Sequence, residues 1–136
     1  MLADLSGTKW SGSGELWLDP LGNEVAECEV TGEFTAETFT YQWSYEGEAQ
    51  EGSFAFRDGS ATWTDTWHQK NPVECAAMAD EWGLITVQHD YSTPYGEWRW
   101  RSKFARRPDG SLIVQMTNIA PWGEEGRAVR MTLTES

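Results

Sequence analysis

A short run in the middle of the chain places a carboxylate between two indoles. Trp63, Asp65 and Trp67 are spaced by two residues, so on a β-strand their side chains point to the same face. If that face is the interior, Asp65 is buried, which is costly unless the carboxylate is paired or hydrogen-bonded. A buried Asp can anchor a polar ligand group, or act as a general base whose pKa is raised by burial. The favoured alternative is a structural Asp, satisfied by a Trp N–H, a Thr or an Arg.

The two histidines lie in different contexts. His89 shares a face of a predicted strand with Val87 and Tyr91, which is typical of a core histidine with one hydrogen bond. A ligand contact and an axial haem ligand are the functional alternatives. His68 falls on the face opposite Trp63, and we predict that it is exposed. The histidines and the two cysteines lack the spacing of zinc sites, so no metal site is predicted.

Basic and aromatic side chains alternate from Trp98 to Phe104. Burying three cations in a row would cost more than burying the aromatic side chains gains. We therefore predict that the row of Trp98, Trp100 and Phe104 faces inward and that Arg99, Arg101 and Lys103 face outward.

Arg130 is a further candidate, close to the end of the chain. It lies on the face opposite Met131 and Leu133. In a barrel with a partly polar interior, Arg130 could point inward and bind a carboxylate through two parallel hydrogen bonds. The other interpretation places it on the solvated outer face.

The elements that must position these residues are β-strands. Residues 38–46 give the clearest signal, because aromatic residues alternate strictly with polar ones. We predict residues 47–52 to be a loop. Segment 73–79 fits either a short strand or a helical turn, and we favour the strand. The predicted strands cover residues 9–18, 24–33, 38–46, 51–57, 60–67, 73–79, 84–91, 97–105, 112–119 and 127–134.

About ten antiparallel strands with short connections predict an all-β fold. Such a meander must protect its edges, and the simplest solution is closure into an up-and-down β-barrel with little or no helix. A β-sandwich is the alternative, but short sequential hairpins favour the barrel. The 136 residues, with 9 Trp, 5 Phe and 4 Tyr, are expected to form a single domain over residues 1–136.

Charge and composition argue against several classes of partner. The net charge of −12 disfavours nucleic acid and anionic lipid. No apolar run is long enough to span a membrane, and the first residues lack the pattern of a signal peptide. Cys28 and Cys75 are therefore expected to be free thiols in a reducing compartment, and we predict a cytoplasmic protein. A homodimer is kept as an alternative to a monomer.

Several of these segments together resemble a known group of proteins. The opening Gly7-Thr-Lys-Trp10 is similar to the Gly-x-x-Trp start of lipocalin-like (calycin) barrels. Residues 62–65 (Thr-Trp-Thr-Asp), residues 116–125 and the final strand resemble a bacterial family of unknown function with a calycin-type barrel. The resemblance implies a ten-stranded barrel related to lipocalins and fatty-acid-binding proteins, with no assigned ligand and no catalytic residues. The family often has an aromatic residue near Leu133, so its fatty-acid carboxylate clamp is not transferred.

The functional expectation is a protein that binds a small apolar or amphipathic molecule in an aromatic-lined barrel. We predict no cofactor and do not favour catalysis. The alternatives are an enzyme that uses Asp65 and His89 as an acid–base pair, a haem-binding barrel of the nitrobindin kind, and an interaction module filled by its own tryptophans. The predicted ligand-binding residues are Trp43, Trp63, Asp65, His89, Trp100 and Arg130.

Overall fold

Ten antiparallel strands close into one barrel in the computed structural model, which describes residues 2–79 and 83–136 apart from the side chain of Ala3. A short 3₁₀ helix, Leu2–Leu5, precedes the first strand. The strands are β1 Lys9–Trp17, β2 Val25–Phe34, β3 Thr38–Tyr45, β4 Glu48–Arg57, β5 Ser60–Asp65, β6 Gln69–Met78, β7 Ile85–Thr93, β8 Gly96–Arg106, β9 Leu112–Ile119 and β10 Glu125–Glu135. The predicted all-β, up-and-down barrel is confirmed.

Each strand pairs with its neighbours in sequence, and β1 pairs with β10 to close the barrel. This closing pair runs from Trp10 opposite Glu135 to Leu16 opposite Val129. Alternate side chains point inward, as in any barrel. The ambiguous segment 73–79 is a strand, as favoured from the sequence, since residues 73–78 belong to β6.

The predicted loop at 47–52 is wrong, because Glu48 to Gly52 already belong to β4. The turn is only Glu46-Gly47, and both residues have positive φ, of 50° and 79°. Two consecutive residues with positive φ are typical of the type I′ turns that join tight hairpins. The polar side chains at the start of β4 are compatible with a strand, because most of this part of β4 is solvent-exposed.

The two ends of the barrel differ in their side chains. At the phenylalanine end, five rings pack together and the N-terminal 3₁₀ helix lies over them, contributing the buried Leu5. Gly7 N–H donates to Phe34 O at 2.8 Å, which fastens the segment after this helix to β2. The rings that define this end are Phe34, Phe39, Phe54, Phe56 and Phe104.

The opposite end, which we call the tryptophan end, is formed by the connections 18–24, 46–47, 66–68, 94–95 and 120–124. The side chains that define it are Trp43, Trp67, Trp98, Trp100 and Trp122. The inward-facing row of β8 is confirmed, since Trp98, Trp100 and Phe104 are buried. No helix in the described part of the chain is both long and apolar enough to cross a membrane.

Candidate functional site

Asp65 ends β5 and is the centre of a hydrogen-bonded cluster in the barrel interior. Its side chain is 1% exposed. One carboxylate oxygen accepts from the Tyr41 hydroxyl at 2.6 Å. The other accepts from the backbone N–H groups of Trp67 and His68, at 2.8 and 2.9 Å, and lies 3.3 Å from His68 Nδ1. The Tyr41 hydroxyl in turn accepts from Trp63 Nε1 at 3.0 Å, so the cluster joins β3, β5 and the turn that follows β5.

These hydrogen bonds determine the charge of Asp65. Burial alone raises the pKa of this carboxyl, but the hydrogen bond and charge of His68, followed by the Tyr41 and backbone hydrogen bonds, outweigh burial. The pKa of Asp65 therefore lies below its ordinary value. Burial, and then the adjacent Asp65 carboxylate, move the pKa of Tyr41 well above its usual range. The pair is an ionised carboxylate with a neutral phenol, so Asp65 is not the high-pKa base that burial alone would produce.

A glycine on β4 makes room for this arrangement. Gly52 lies opposite Tyr41 in the β3–β4 ladder and opposite Asp65 in the β4–β5 ladder. A Cβ atom at Gly52 would overlap the Cζ and hydroxyl oxygen of Tyr41. The absence of a side chain therefore allows the Tyr41 ring to lie across β4 and reach Asp65.

His68 is buried against tryptophans, so the prediction that it is exposed is wrong. Its side chain is only 13% exposed. The prediction assumed that the strand continued through Trp67, whereas β5 ends at Asp65 and residues 66–68 form a turn. The register of the β5–β6 ladder also shifts between Trp63 and Asp65. The turn leaves Trp67 partly exposed at the barrel end and directs the imidazole of His68 inward.

His89 belongs to a separate pair. The Sγ atom of Cys75 lies 3.5 Å from His89 Nδ1, and both side chains are buried. Burial lowers the pKa of His89, with Asp90 acting in the opposite direction. Burial, reinforced by Glu74, raises the pKa of Cys75 to about 11. Both groups are neutral near pH 7, so Cys75 is a protonated thiol with little reactivity.

Two indole N–H groups at the tryptophan end have no hydrogen-bond partner. Trp98 and Trp100 are 8% and 7% exposed, and the Nε1 atom of each is buried. Within the described residues, these are the buried side-chain nitrogen or oxygen atoms left without a partner. An unsatisfied buried donor costs about 1–3 kcal/mol, so such groups are rare without a reason. Two adjacent inward-facing positions of β8 thus present donors that a bound acceptor could satisfy.

The same end carries most of the exposed apolar side chains. Six of the seven large apolar residues exposed within the described chain lie there, and Trp122 and Tyr95 are 64% and 85% exposed. Trp98 packs edge-on against Trp122, at 5.7 Å between ring centroids, which connects the exposed rim to the interior. The six residues are Leu18, Leu21, Val25, Trp67, Tyr95 and Trp122.

The barrel interior is nearly full. Between Trp43, Asp65, His68 and Met116 the remaining cavity has a volume of about 10 Å³. That is close to the smallest space that holds one water molecule. The interior is thus far smaller than the usual 300–1,000 Å³ of a preformed small-molecule pocket.

The predicted ligand-binding residues divide into two groups. Trp43, Trp63, Asp65 and Trp100 surround or adjoin His68, and His89 packs 5.7 Å from Trp63. Arg130 lies elsewhere: it projects from the outer wall, 3.7 Å from Glu15 and over the ring of Trp17. The idea that Arg130 points into the barrel is wrong, because the inward positions of β10 are taken by the buried Val129, Met131 and Leu133.

Neither catalytic nor haem chemistry is supported by this arrangement. Asp65 is hydrogen-bonded to Tyr41 and His68, whereas His89 is hydrogen-bonded to Cys75. The predicted acid–base pair of Asp65 and His89 is therefore divided between two clusters. The residues around His89 do not fit a haem, because Trp63 and Tyr91 pack against its ring. Within the described residues, no group of three His, Cys, Asp or Glu side chains could hold a metal ion. Both cysteines are free thiols.

No protein-family model, curated protein or solved structure matches the chain. The architecture itself, a closed antiparallel barrel of ten strands, is consistent with a lipocalin-like fold.

Proposed function

We propose that the protein binds a small, uncharged amphipathic molecule at the tryptophan end of the barrel. The observation that carries this proposal is the pair of buried, unpartnered indole N–H groups of Trp98 and Trp100. A ligand with a hydrogen-bond acceptor at one end would satisfy these donors, while its apolar part would pack on the surrounding rings. Trp98 lies against the exposed Trp122, so the rim provides an apolar route to the donors.

The charges around this end favour a ligand without negative charge. The connections at the tryptophan end contain Asp19, Glu24, Glu46 and Glu124 but no Lys or Arg. Arg127 of β10 reaches the connection 18–24, but its guanidinium donates to Gly22 O and lies over the Trp17 ring. The pKa of Asp65 lies below its ordinary value, so a further negative charge is present inside the barrel. A carboxylate ligand would meet repulsion at the rim and a second carboxylate in the interior, with no inward-facing Arg130 to compensate.

Binding inside the barrel must displace side chains, because the cavity between Trp43, Asp65 and His68 has a volume of only about 10 Å³. The turn at residues 66–68 is suited to this, since Trp67 is already partly exposed and His68 reaches the surface. Displacement would cost part of the binding energy, so we expect weaker affinity than for a barrel with an open cavity.

The proposal is tested with acetophenone, a neutral molecule with one carbonyl acceptor, and with benzoate as the charged control of similar shape. The 9 tryptophans give separate indole N–H resonances in a two-dimensional NMR spectrum, each assigned by a Trp→Phe variant. We expect acetophenone to shift the Trp98 and Trp100 signals and benzoate to leave them unchanged. Trp100→Phe, which keeps an aromatic ring of smaller size but removes the N–H, should weaken binding about three- to tenfold.

Trp10→Phe is the matched control. The indole N–H of Trp10 is already bonded to Thr8 Oγ1 at 2.8 Å, near the phenylalanine end, so this variant should bind acetophenone like the unmodified protein. If acetophenone shifts no indole signal even at saturation of its solubility, the ligand-binding proposal fails.

A filled barrel that acts only as an interaction module is the second candidate, favoured by the small interior volume. It predicts that none of the small molecules enters and that native mass spectrometry shows the bare chain mass. We also propose that the protein belongs to a bacterial calycin family and is cytoplasmic, as the sequence patterns described above support. A homodimer is the alternative to a monomer.

A further inference from the structure

We propose that the imidazole of His68 occupies the binding site of a planar nitrogen heterocycle, so that His68 is a built-in substitute for the ligand. This inference rests on the proposed function and specifies the ligand class. It follows from three observations: the rings around His68, the hydrogen-bonding groups beside it, and its position on a turn at the barrel end.

The walls around His68 are aromatic on several sides. Its ring centroid lies 5.9 Å from that of Trp43, 6.5 Å from that of Trp63 and 5.2 Å from that of Trp100. The planes of Trp63 and His68 are inclined by only 28°, and those of Trp63 and Trp100 by 19°. His68 is inclined by 33° to Trp43 and by 47° to Trp100. The surroundings of the imidazole are thus aromatic, and another planar aromatic ring would pack on them in its place.

The polar groups beside His68 define the heteroatoms of that ring. Asp65 Oδ1, which lies 3.3 Å from His68 Nδ1, can accept a hydrogen bond from a ring N–H. The indole of Trp100, the nearest of the three rings, has a buried N–H without an acceptor. His68 thus satisfies the acceptor of the site but leaves the donor unmatched. The imidazole of His68 carries the same two kinds of nitrogen, but its backbone holds it where neither bonds to Trp100 Nε1. A free heterocycle with one N–H and one unprotonated nitrogen can shift within the site and satisfy both groups, which is its advantage over the resident side chain.

His68 can leave this position without rebuilding the cluster. The imidazole is 13% exposed, so rotation of the side chain carries it toward solvent at the end of the barrel. Asp65 retains its hydrogen bonds from the Tyr41 hydroxyl and from the backbone N–H groups of Trp67 and His68. The carboxylate would then remain in place, with one oxygen available to the incoming N–H, which would replace the hydrogen bond that His68 had made.

The experiment compares three flat probes of similar size: benzimidazole, with a donor and an acceptor; 1-methylbenzimidazole, with the acceptor only; and naphthalene, with neither. Each is titrated into the unmodified protein and into His68→Ala, and the indole N–H signals of Trp63 and Trp100 are followed. We expect benzimidazole to bind the unmodified protein, and to bind His68→Ala about tenfold more tightly because no side chain competes. 1-Methylbenzimidazole, which lacks the N–H, should bind more weakly than benzimidazole to both the unmodified protein and His68→Ala.

Different outcomes overturn different statements. If benzimidazole binds only His68→Ala, His68 is a permanent part of the core and the inference is overturned. If naphthalene binds as tightly as benzimidazole, or acetophenone binds and benzimidazole does not, ligand binding stands but the heterocycle class is overturned. If neither acetophenone nor any of the three probes binds, the proposed function and the inference both fall. Should His68→Ala be unfolded, the contrast between benzimidazole and 1-methylbenzimidazole on the unmodified protein decides alone.

Discussion

The two ends of this barrel are built on the same ten strands but differ in what their side chains leave unsatisfied. At the phenylalanine end, hydrocarbon rings meet edge to face and the N-terminal helix covers them. At the tryptophan end, each buried ring nitrogen needs a hydrogen-bond partner, and the indole N–H groups of Trp98 and Trp100 lack one. A hydrocarbon core can be completed by packing alone, whereas a core of indoles and imidazoles is complete only when its hydrogen bonds are also made.

Phe104→Ala should produce the largest loss of stability, because the phenylalanine end is where packing stabilises the barrel most. Phe104 is fully buried and meets Phe39, Phe54 and Phe56 edge-on, at 5.1–5.6 Å between centroids. Removing the ring leaves a cavity, which costs about 3–5 kcal/mol in the free energy of unfolding, measured by urea denaturation. The matched variant at the other end is Trp100→Phe, which should cost much less. Equal losses would contradict the contrast between the ends.

Tyr41→Phe tests the cluster around Asp65. It removes a hydrogen bond to a buried carboxylate and leaves Trp63 Nε1 without its acceptor, so we expect a loss of about 1.5–3 kcal/mol. The folded pKa of Asp65 is depressed, so its stabilisation is present above the unfolded value of about 3.9 and is lost as the pH falls through the folded pKa. The difference between variant and unmodified protein should therefore shrink at low pH. A constant difference from neutral pH to the acid limit would exclude Asp65 as the cause.

His89→Gln should change how stability depends on pH. Burial holds His89 neutral, so the folded pKa is below the unfolded value of about 6.5. The folded state then loses stability as the pH falls from that value toward the folded pKa, with a slope of at most about 1.4 kcal/mol per pH unit. The variant should lack this slope in thermal melts recorded across the interval. A slope that persists would have to come from other groups, His68 being the remaining histidine.

Trp122→Ala and Tyr95→Ala should have the smallest effects on stability. Both side chains are mostly exposed, and surface substitutions usually stay within about 0.5 kcal/mol. If the rim serves binding, these variants should nevertheless weaken the response to acetophenone. A large fall in melting temperature would show instead that the rim completes the core.

The sequence predicted the strands well where a buried face alternates with a polar one. In β3 the inward positions Phe39, Tyr41 and Trp43 follow directly from the spacing, and all three are buried. The start of β4 was missed, because most of its first residues are exposed and polar, with no apolar alternation. The position of Gly52 there is explained only by the ring of Tyr41, which lies on another strand.

The site was predicted less completely, because its partners come from separate parts of the chain. Asp65 and the tryptophans were identified from spacing, but the Tyr41 hydroxyl that satisfies Asp65 lies 24 residues away. His68 was misplaced because a strand was extended by two residues, so that a residue of the turn was assigned the outward face of a strand. The turn that ends β5 is stabilised by the Asp65 carboxylate, which accepts from two backbone N–H groups of the turn. From the sequence, Asp65 was considered as a ligand anchor, a general base or a structural Asp paired with a side chain, and not as the residue that caps a turn.

The pairing of β1 with β10 has a consequence for the order of the chain. This seam joins residues more than 110 positions apart, and Ser136 N–H donates to Lys9 O at 2.7 Å, so the two chain ends are neighbours. Every other ladder is a hairpin between consecutive strands. A short linker between the ends, with new termini opened at the exposed Asp58-Gly59 turn, would convert the long-range seam into a hairpin. The circular permutant should keep the barrel while changing which strand pair carries the large entropy of loop closure.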